Sequence, residues 1–261
     1  MEYKHIIFEK KNGVGKITLN RPEVFNALHP NTHTEIRAAL KDIEEDEGIR
    51  VAIITGTGRA FSAGADLGYI KTILDSPKKI AAYGQIFHDT NAIIESMAKP
   101  VIAVINGLCL AGATELMEAC DIAIADEAAP IGDGHAVYGL VPGGGSTQRL
   151  PRLIPRRKAK ELLLTGDSIT CREAEALGLI NKAVPADKLE EAVNEMTQKL
   201  MERSPMASKF IKYAVNRGLE VDLYTGVEIE KGAASAHVNT EDFKEGITAF
   251  NEKRKPVFPG R

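Results

Sequence analysis

The sequence predicts an α/β fold, and three features of the chain carry that prediction. VAIITG (Val51 to Gly56), VIAVING (Val101 to Gly107) and DIAIADE (Asp121 to Glu127) are short apolar runs of the kind that form strands buried on both faces. The first two open into glycine-containing loops, and a short helical stretch, Gly112 to Cys120, separates the second from the third. From about Arg152 onward the pattern turns helical, so a core of β/β/α units is expected to carry a helical C-terminal part.

Taken in order, HIIFEK and VGKITLN read as a hairpin across Lys11-Asn12-Gly13, a turn signal between alternating apolar residues. Thr32 to Glu47 has helical spacing, with Ile36, Leu40 and Ile43 on one face. Periodicity does not resolve the stretch from Gly68 to Asn91. Helices are predicted over Lys158 to Leu164, Arg172 to Leu177, Asp187 to Arg203, Pro205 to Gly218, Leu223 to Ala236 and Thr240 to Lys253. Ser204-Pro205 and Thr240-Glu241-Asp242 are helix starts, where a hydroxyl caps free N–H groups and acidic residues suit the first turn. The last helices carry more apolar residues than a lone surface helix needs; association with another subunit is the economical explanation of the excess, and docking on the core would also serve.

Composition narrows the function. A formal net charge of −3 over 261 residues argues against nucleic acid or an anionic membrane as partner, while Lys253, Arg254 and Lys255 form a local patch suited to phosphate. Cys109, Cys120 and Cys171 are widely spaced with no C-x-x-C pair, which reads as reduced, mostly buried thiols in a cytoplasmic protein and not as a metal site. MEYKHIIFEKK has no apolar core of a signal peptide, and no run approaches the length of a membrane span.

None of the glycine loops is a phosphate loop or a dinucleotide fingerprint, and G-x-S-x-G is absent. In NGLCLAGATELMEACD, however, Gly112 stands at a helix start, where unpaired N–H groups and the helix dipole favour negative charge. One turn further, Glu115 sits among small apolar residues. Such surroundings raise a carboxyl's proton affinity and suit it to general acid–base work, although a simple capping role fits equally. Glu118 reads as a structural or interface carboxylate. The segment GDGHAVYGLVPGGG, Gly132 to Gly145, sets His135 among glycines, where the imidazole is either packed or faces a pocket.

FSAGADL, then KPVIAVINGLCLAGATELMEACD, then GLVPGGGSTQRLPR together resemble the crotonase family, the enoyl-CoA hydratase/isomerase superfamily. LNRPEVFNAL, LLLTGDSITCREAEALGLIN and TEDFKEGITAFNEKRKPVF extend the resemblance over essentially the whole chain. It implies a spiral of β/β/α turns over residues 1–200 and a helical region over 201–261 that holds a homotrimer, doubled in some members to a hexamer. It implies an acyl-CoA thioester substrate and no separate cofactor, since CoA is itself the activating group. The backbone N–H groups of Ala65 and Gly112 match the family's oxyanion hole, which stabilises an enolate-like intermediate. Val24, Phe25, Ala63 and Asp66 match the lining of the CoA site, and Lys253 matches a lysine that reaches a CoA phosphate, often from a neighbouring subunit. An aromatic that covers the adenine in some relatives appears here as Ala234. Leu67, Ile70 and Tyr138 are candidates for the acyl pocket, with Ile73, Leu74 and Phe87 beside them.

Hydratases of this family place two glutamates around the added water. Glu115 matches the first; the second falls where this chain reads G-D-G-H-A-V-Y-G-L-V-P, so His135 takes its place and Gly134 replaces a proline. A glutamate and a histidine can divide the roles of base and acid, because imidazole titrates near neutrality. Asp133, two residues earlier, either orients the imidazole or, by alternation in an extended strand, shares its face for packing. The implied reaction is reversible hydration of a 2-enoyl-CoA. A double-bond isomerase, a thioester hydrolase or decarboxylase, and a non-catalytic acyl-CoA binder remain as alternatives.

Overall fold

The protein is described from a computed structural model covering residues 2–261. β1 (Ile6–Lys11) and β2 (Val14–Leu19) form the expected hairpin. Asn12 and Gly13 both have positive φ, 51° and 78°, as a two-residue turn between twisted strands requires. α1 (Pro30–Glu45) begins two residues before the apolar spacing suggests. Proline suits its first position, and His29 Nδ1 accepts the N–H of Asn31 at 3.1 Å.

Three successive turns of chain then repeat one plan. β3 (Val51–Gly56) and β4 (Ala60–Ser62) lead to α2 (Leu67–Ile73) and α3 (Pro77–Ser96). β5 (Val101–Ile105) and β6 (Leu108–Leu110) lead to α4 (Gly112–Glu118). β7 (Ile122–Asp126) and β8 (Pro130–Gly132) lead through a 3-10 turn at His135–Tyr138 to α5 (Ser146–Leu153) and α6 (Arg156–Thr165). The first strand of each turn lies parallel to its counterparts in a six-stranded sheet, and the second lies parallel in a four-stranded sheet. β9 (Ser168–Thr170) and β10 (Lys182–Val184) close the two sheets at one edge, with α7 (Cys171–Leu177) between them. α8 (Leu189–Met201), α9 (Pro205–Gly218), α10 (Leu223–His237) and α11 (Glu241–Glu252) complete the chain. The spiral is thus two sheets wound by one chain, and every turn ends in a loop at the edge of the smaller sheet.

Burial explains which elements form. Every residue of β5 is buried, as are the first five of β3, so each Val or Ile removed from water there contributes about 2 kcal/mol. α3 escapes periodicity because its buried face mixes Tyr83, Phe87, Thr90, Asn91 and Ile94. The three-residue strands are too short for alternation to show. Ser204 and Thr240 cap α9 and α11 as expected, accepting the N–H groups of Ala207 at 2.9 Å and Phe243 at 3.1 Å. The three cysteines are free, with Cys109 and Cys171 buried.

The C-terminal helices dock through a buried ion. Lys212 of α9 reaches into the core, where its ammonium donates to Asp121 Oδ2 and to the Ile94 carbonyl, both at 2.7 Å. The ammonium is buried, but the Asp121 side chain keeps 21% of its surface, so water can partly reach the carboxylate left behind. Lys212→Met, which keeps the apolar stem, is therefore expected to cost about 1–2 kcal/mol in urea unfolding, less than a fully buried pair would. A midpoint equal to the parent's would show that apolar packing alone holds α9.

Candidate active site

Three loops leave the smaller sheet at the ends of β4, β6 and β8, and they touch one another. The Ala111 N–H donates to the Gly132 carbonyl at 2.9 Å, and the Thr114 hydroxyl donates to the same oxygen at 2.7 Å. Gly64 (φ 89°) lies so close to the second loop that a Cβ there would fall 2.6 Å from the Leu110 carbonyl oxygen and 2.8 Å from Gly112 N. Only glycine permits this approach and this backbone conformation together. Ala111 holds φ 52° and ψ −123°, a strained conformation for a residue with a Cβ, and so starts α4 with Gly112. The Gly112 N–H is the first of α4 and has no intrahelical acceptor. The Ala65 N–H donates to no protein acceptor among the described residues. Two free backbone donors thus sit on either side of the Gly64 contact. Phe87 covers Gly112 from behind, its ring so near that a Cβ would meet Cε1 at 2.5 Å. His33 packs on that ring at 4.2 Å and stays neutral, since burial holds its pKa near 3.

Glu115, only 2% exposed, faces the third loop. Its Oε1 accepts the N–H groups of Gly144 at 2.6 Å and Ser146 at 3.3 Å, and a Cβ on Gly144 would strike its Oε2. His135 does not lie in an extended strand. Gly134 turns left-handed at φ 67°, and His135 opens the 3-10 turn. Its Nδ1 pairs with Asp133 Oδ1 at 2.8 Å, which leaves Nε2 without a protein partner among the described residues. Burial pulls the imidazolium down, but the Asp133 bond and the charges of Asp133 and Glu115 outweigh it, so the pKa stands above the ordinary 6.5. Asp133 is itself buried.

The residues matched to CoA gather along the first loop. Phe25 and Asn26 both have positive φ, 51° and 57°, and the Asn26 amide locks the bend by donating to the Thr57 and Ala60 carbonyls. The Ala63 N–H donates to the Phe25 carbonyl at 2.9 Å, and Leu28 N–H to the Gly64 carbonyl at 2.8 Å. Arg21, which sequence reasoning passed over, ties the bend to Asp66 Oδ2 at 2.7 Å. Arg59 stacks over Phe25 at 4.4 Å from the ring centre. Val24 stands exposed on this bend. Lys253 is exposed in left-handed conformation after α11, and its ammonium bonds to none of these groups among the described residues. Leu67 and Ile70 line α2, Leu67 half in solvent and Ile70 partly buried. Tyr138 is 73% exposed, so it is not packed within this chain. A cavity of about 810 Å³ between α3, α5 and α9 touches neither Glu115 nor His135.

The profile of the enoyl-CoA hydratase/isomerase family matches residues 9–261. The chain belongs to the enoyl-CoA hydratase/isomerase family. It is 38% identical to a crotonyl-CoA hydratase of Syntrophomonas wolfei, covering 99% of each chain. It is 37% identical to a short-chain-enoyl-CoA hydratase of Clostridium acetobutylicum, covering 98% of this chain and 97% of that one. The crystal structure of an enoyl-CoA hydratase from Bacillus anthracis superposes with a TM-score of 0.94 at 39% identity, over 99% of this chain and 100% of that one. The two-sheet spiral is therefore the crotonase fold.

Gly64→Ala tests the contact between the first two loops. The added methyl must displace the Leu110–Gly112 backbone, and if the Gly112 N–H serves as an oxyanion donor this costs on the order of 10²-fold in turnover. Turnover of a CoA thioester is expected to fall by that factor with circular dichroism unchanged. Parental turnover would show that the two amides do not act together.

Proposed function

We propose that the protein hydrates 2-enoyl-CoA thioesters to 3-hydroxyacyl-CoA, and catalyses the reverse dehydration. The observation that carries this reading is that loops in mutual contact carry two unpaired backbone donors, a carboxylate held by two amides and an imidazole held by Asp133. The relatives named as hydratases over the full chain length support it.

The chemistry follows from charge. A thioester carbonyl seated between the Ala65 and Gly112 N–H groups is polarised, and C3 of the enoyl chain becomes electrophilic. Glu115, held by the two amides, takes a proton from water as its oxygen bonds to C3. The electron pair of the double bond moves toward the carbonyl oxygen, and the enolate is stabilised by both donors and by the start of α4. His135 delivers the proton on Nε2 to C2. Asp133 fixes Nδ1 as a donor and offsets the imidazolium charge. Water has then added across C2 and C3, and proton return from Glu115 to His135 resets the pair.

The bend at Val24 and Phe25, with Ala63 and Asp66, suits the CoA moiety, with Arg59 and Lys253 as cations for its phosphates. Leu67, Ile70 and Tyr138 suit the acyl chain. CoA is part of the substrate, and the reading requires no further cofactor. Ile211, Leu219, Leu223, Tyr224 and Phe250 expose apolar surface on or beside α9, α10 and α11. That surface supports a homotrimer or hexamer built through residues 201–261, in which Lys253 would reach a neighbour's CoA. Among the described residues no helix is long and apolar enough to cross a membrane, and the reading is of a cytoplasmic enzyme with no nucleic-acid partner.

Turnover of a 2-enoyl-CoA panel in H₂¹⁸O is expected to place ¹⁸O at C3. Glu115→Gln and His135→Ala should each lower kcat about 10²-fold or more, the usual worth of a positioned acid or base. Double-bond migration without label at C3 would replace this reading with an isomerase. The pH profile tests the dyad separately. Hydration requires the imidazolium, so kcat falls as pH rises through the elevated His135 pKa. Asp133→Asn removes the main group that elevates it, and the falling limb should move to lower pH. An unmoved limb would assign the titration to another group.

A further inference from the structure

Glu118 is the buried acid that the hydration steps leave unused. It lies one turn beyond Glu115 on α4, and its Oε2 accepts the Ser146 hydroxyl at 2.9 Å. Ser146 in turn gives its backbone N–H to Glu115 Oε1 at 3.3 Å. We propose that Glu118 is a positioning residue for the Glu115 carboxylate, acting through Ser146, whose hydroxyl it holds and whose N–H grips Glu115. The proposal rests on the reading of Glu115 as the base.

The two ends of the amide grip are held differently. At Gly144 the carbonyl accepts from Asn91 Nδ2 at 3.0 Å and from Arg149 Nη1 at 2.8 Å. Arg149 is fixed by Glu95, with Nε to Oε1 at 2.6 Å. At Ser146 the one side-chain hold is Glu118. Loss of that acceptor frees the Ser146 side chain and leaves the longer of the two amide bonds to Glu115 unsupported. A base displaced by a fraction of an ångström no longer aligns its water with C3.

The surroundings keep Glu118 neutral. Burial pushes its pKa up to about 8; the Ser146 bond and Arg149 on α5 act downward, and Glu115 and Asp133 act upward. Oε1 is buried without a partner among the described residues. Near pH 7 Glu118 therefore offers Ser146 an acceptor without adding a negative charge beside the developing enolate. Glutamine is the faithful substitute for that state, because its carbonyl also accepts from Ser146.

Four variants test this: E118L, E118Q, S146A and the double variant E118L/S146A. E118L replaces a buried acid by an apolar side chain and is expected to unfold at or above the parental temperature. With a 2-enoyl-CoA, E118L and S146A should each lower kcat about tenfold with KM within about twofold. E118Q should stay within about threefold of the parent, and the double variant should be no slower than E118L. Backbone amide hydrogen exchange at Gly144 and Ser146 reads the positioning without any reaction, and should quicken at Ser146 in E118L and S146A but not in E118Q. Parental kcat or parental exchange in E118L overturns the proposal, as does an E118Q as slow as E118L or a double variant with additive loss. A parent that adds no water to any enoyl-CoA overturns the hydratase reading instead, and the exchange data then decide the positioning role alone.

Discussion

The approach of Gly64 to the Leu110–Gly112 backbone is the constraint on which the site depends. Two peptide chains meet there with no side chain between them, and the contact exists only because residue 64 has no Cβ and tolerates φ 89°. From that contact follow the spacing of the Ala65 and Gly112 amides and the direction in which α4 starts. The start of α4 then sets where Glu115 and Glu118 stand, one turn and two turns along. Ala111 accepts a strained backbone so that the helix begins at Gly112, and its N–H bond to Gly132 draws in the third loop. The fold brings the loops together because successive turns of the spiral add parallel neighbours to the smaller sheet, so their ends fall side by side.

The acidic groups of the site divide by what holds them. Glu115 receives two backbone amides, and Asp133 receives the imidazole and the N–H of His135. Glu118 receives a single hydroxyl and is otherwise dry, which leaves it neutral up to about pH 8. All three are buried, and they differ in the number and kind of donors that reach them.

Much of this was legible in the sequence, and the reasons differ by element. Continuous apolar runs marked β3, β5 and β7 because strands buried on both faces need no polar positions. The hairpin was legible from Asn12-Gly13, since so few residues accept positive φ at both turn positions. α3 was not, because its inward face uses Tyr83, Thr90 and Asn91 for hydrogen bonds and stacking. The motifs around Ala65, Gly112 and Glu115 marked the site through family resemblance. The Asp133–His135 pair was half legible: the spacing was visible, but the left-handed Gly134 that folds the two together is a tertiary fact. The bridge from Glu118 through Ser146 to Glu115 had no local signal, since it joins residues 28 positions apart.

In the proposed mechanism, His135 in place of a second glutamate changes the chemistry less than the swap of an acid for a base suggests. Two glutamates that share one proton carry a net charge of −1. Glu115 with an imidazolium alone would carry none, and a neutral site would bind the enolate's charge at the cost of a weaker base. Asp133 supplies a second carboxyl directly behind the imidazole, 2.8 Å from Nδ1. It does so from the far side of the ring, where it raises the proton affinity of His135 while leaving Nε2 free. The neutral Glu118 belongs to the same balance. In the proposed mechanism an ionised Glu118 would oppose the negative charge that forms between Ala65 and Gly112.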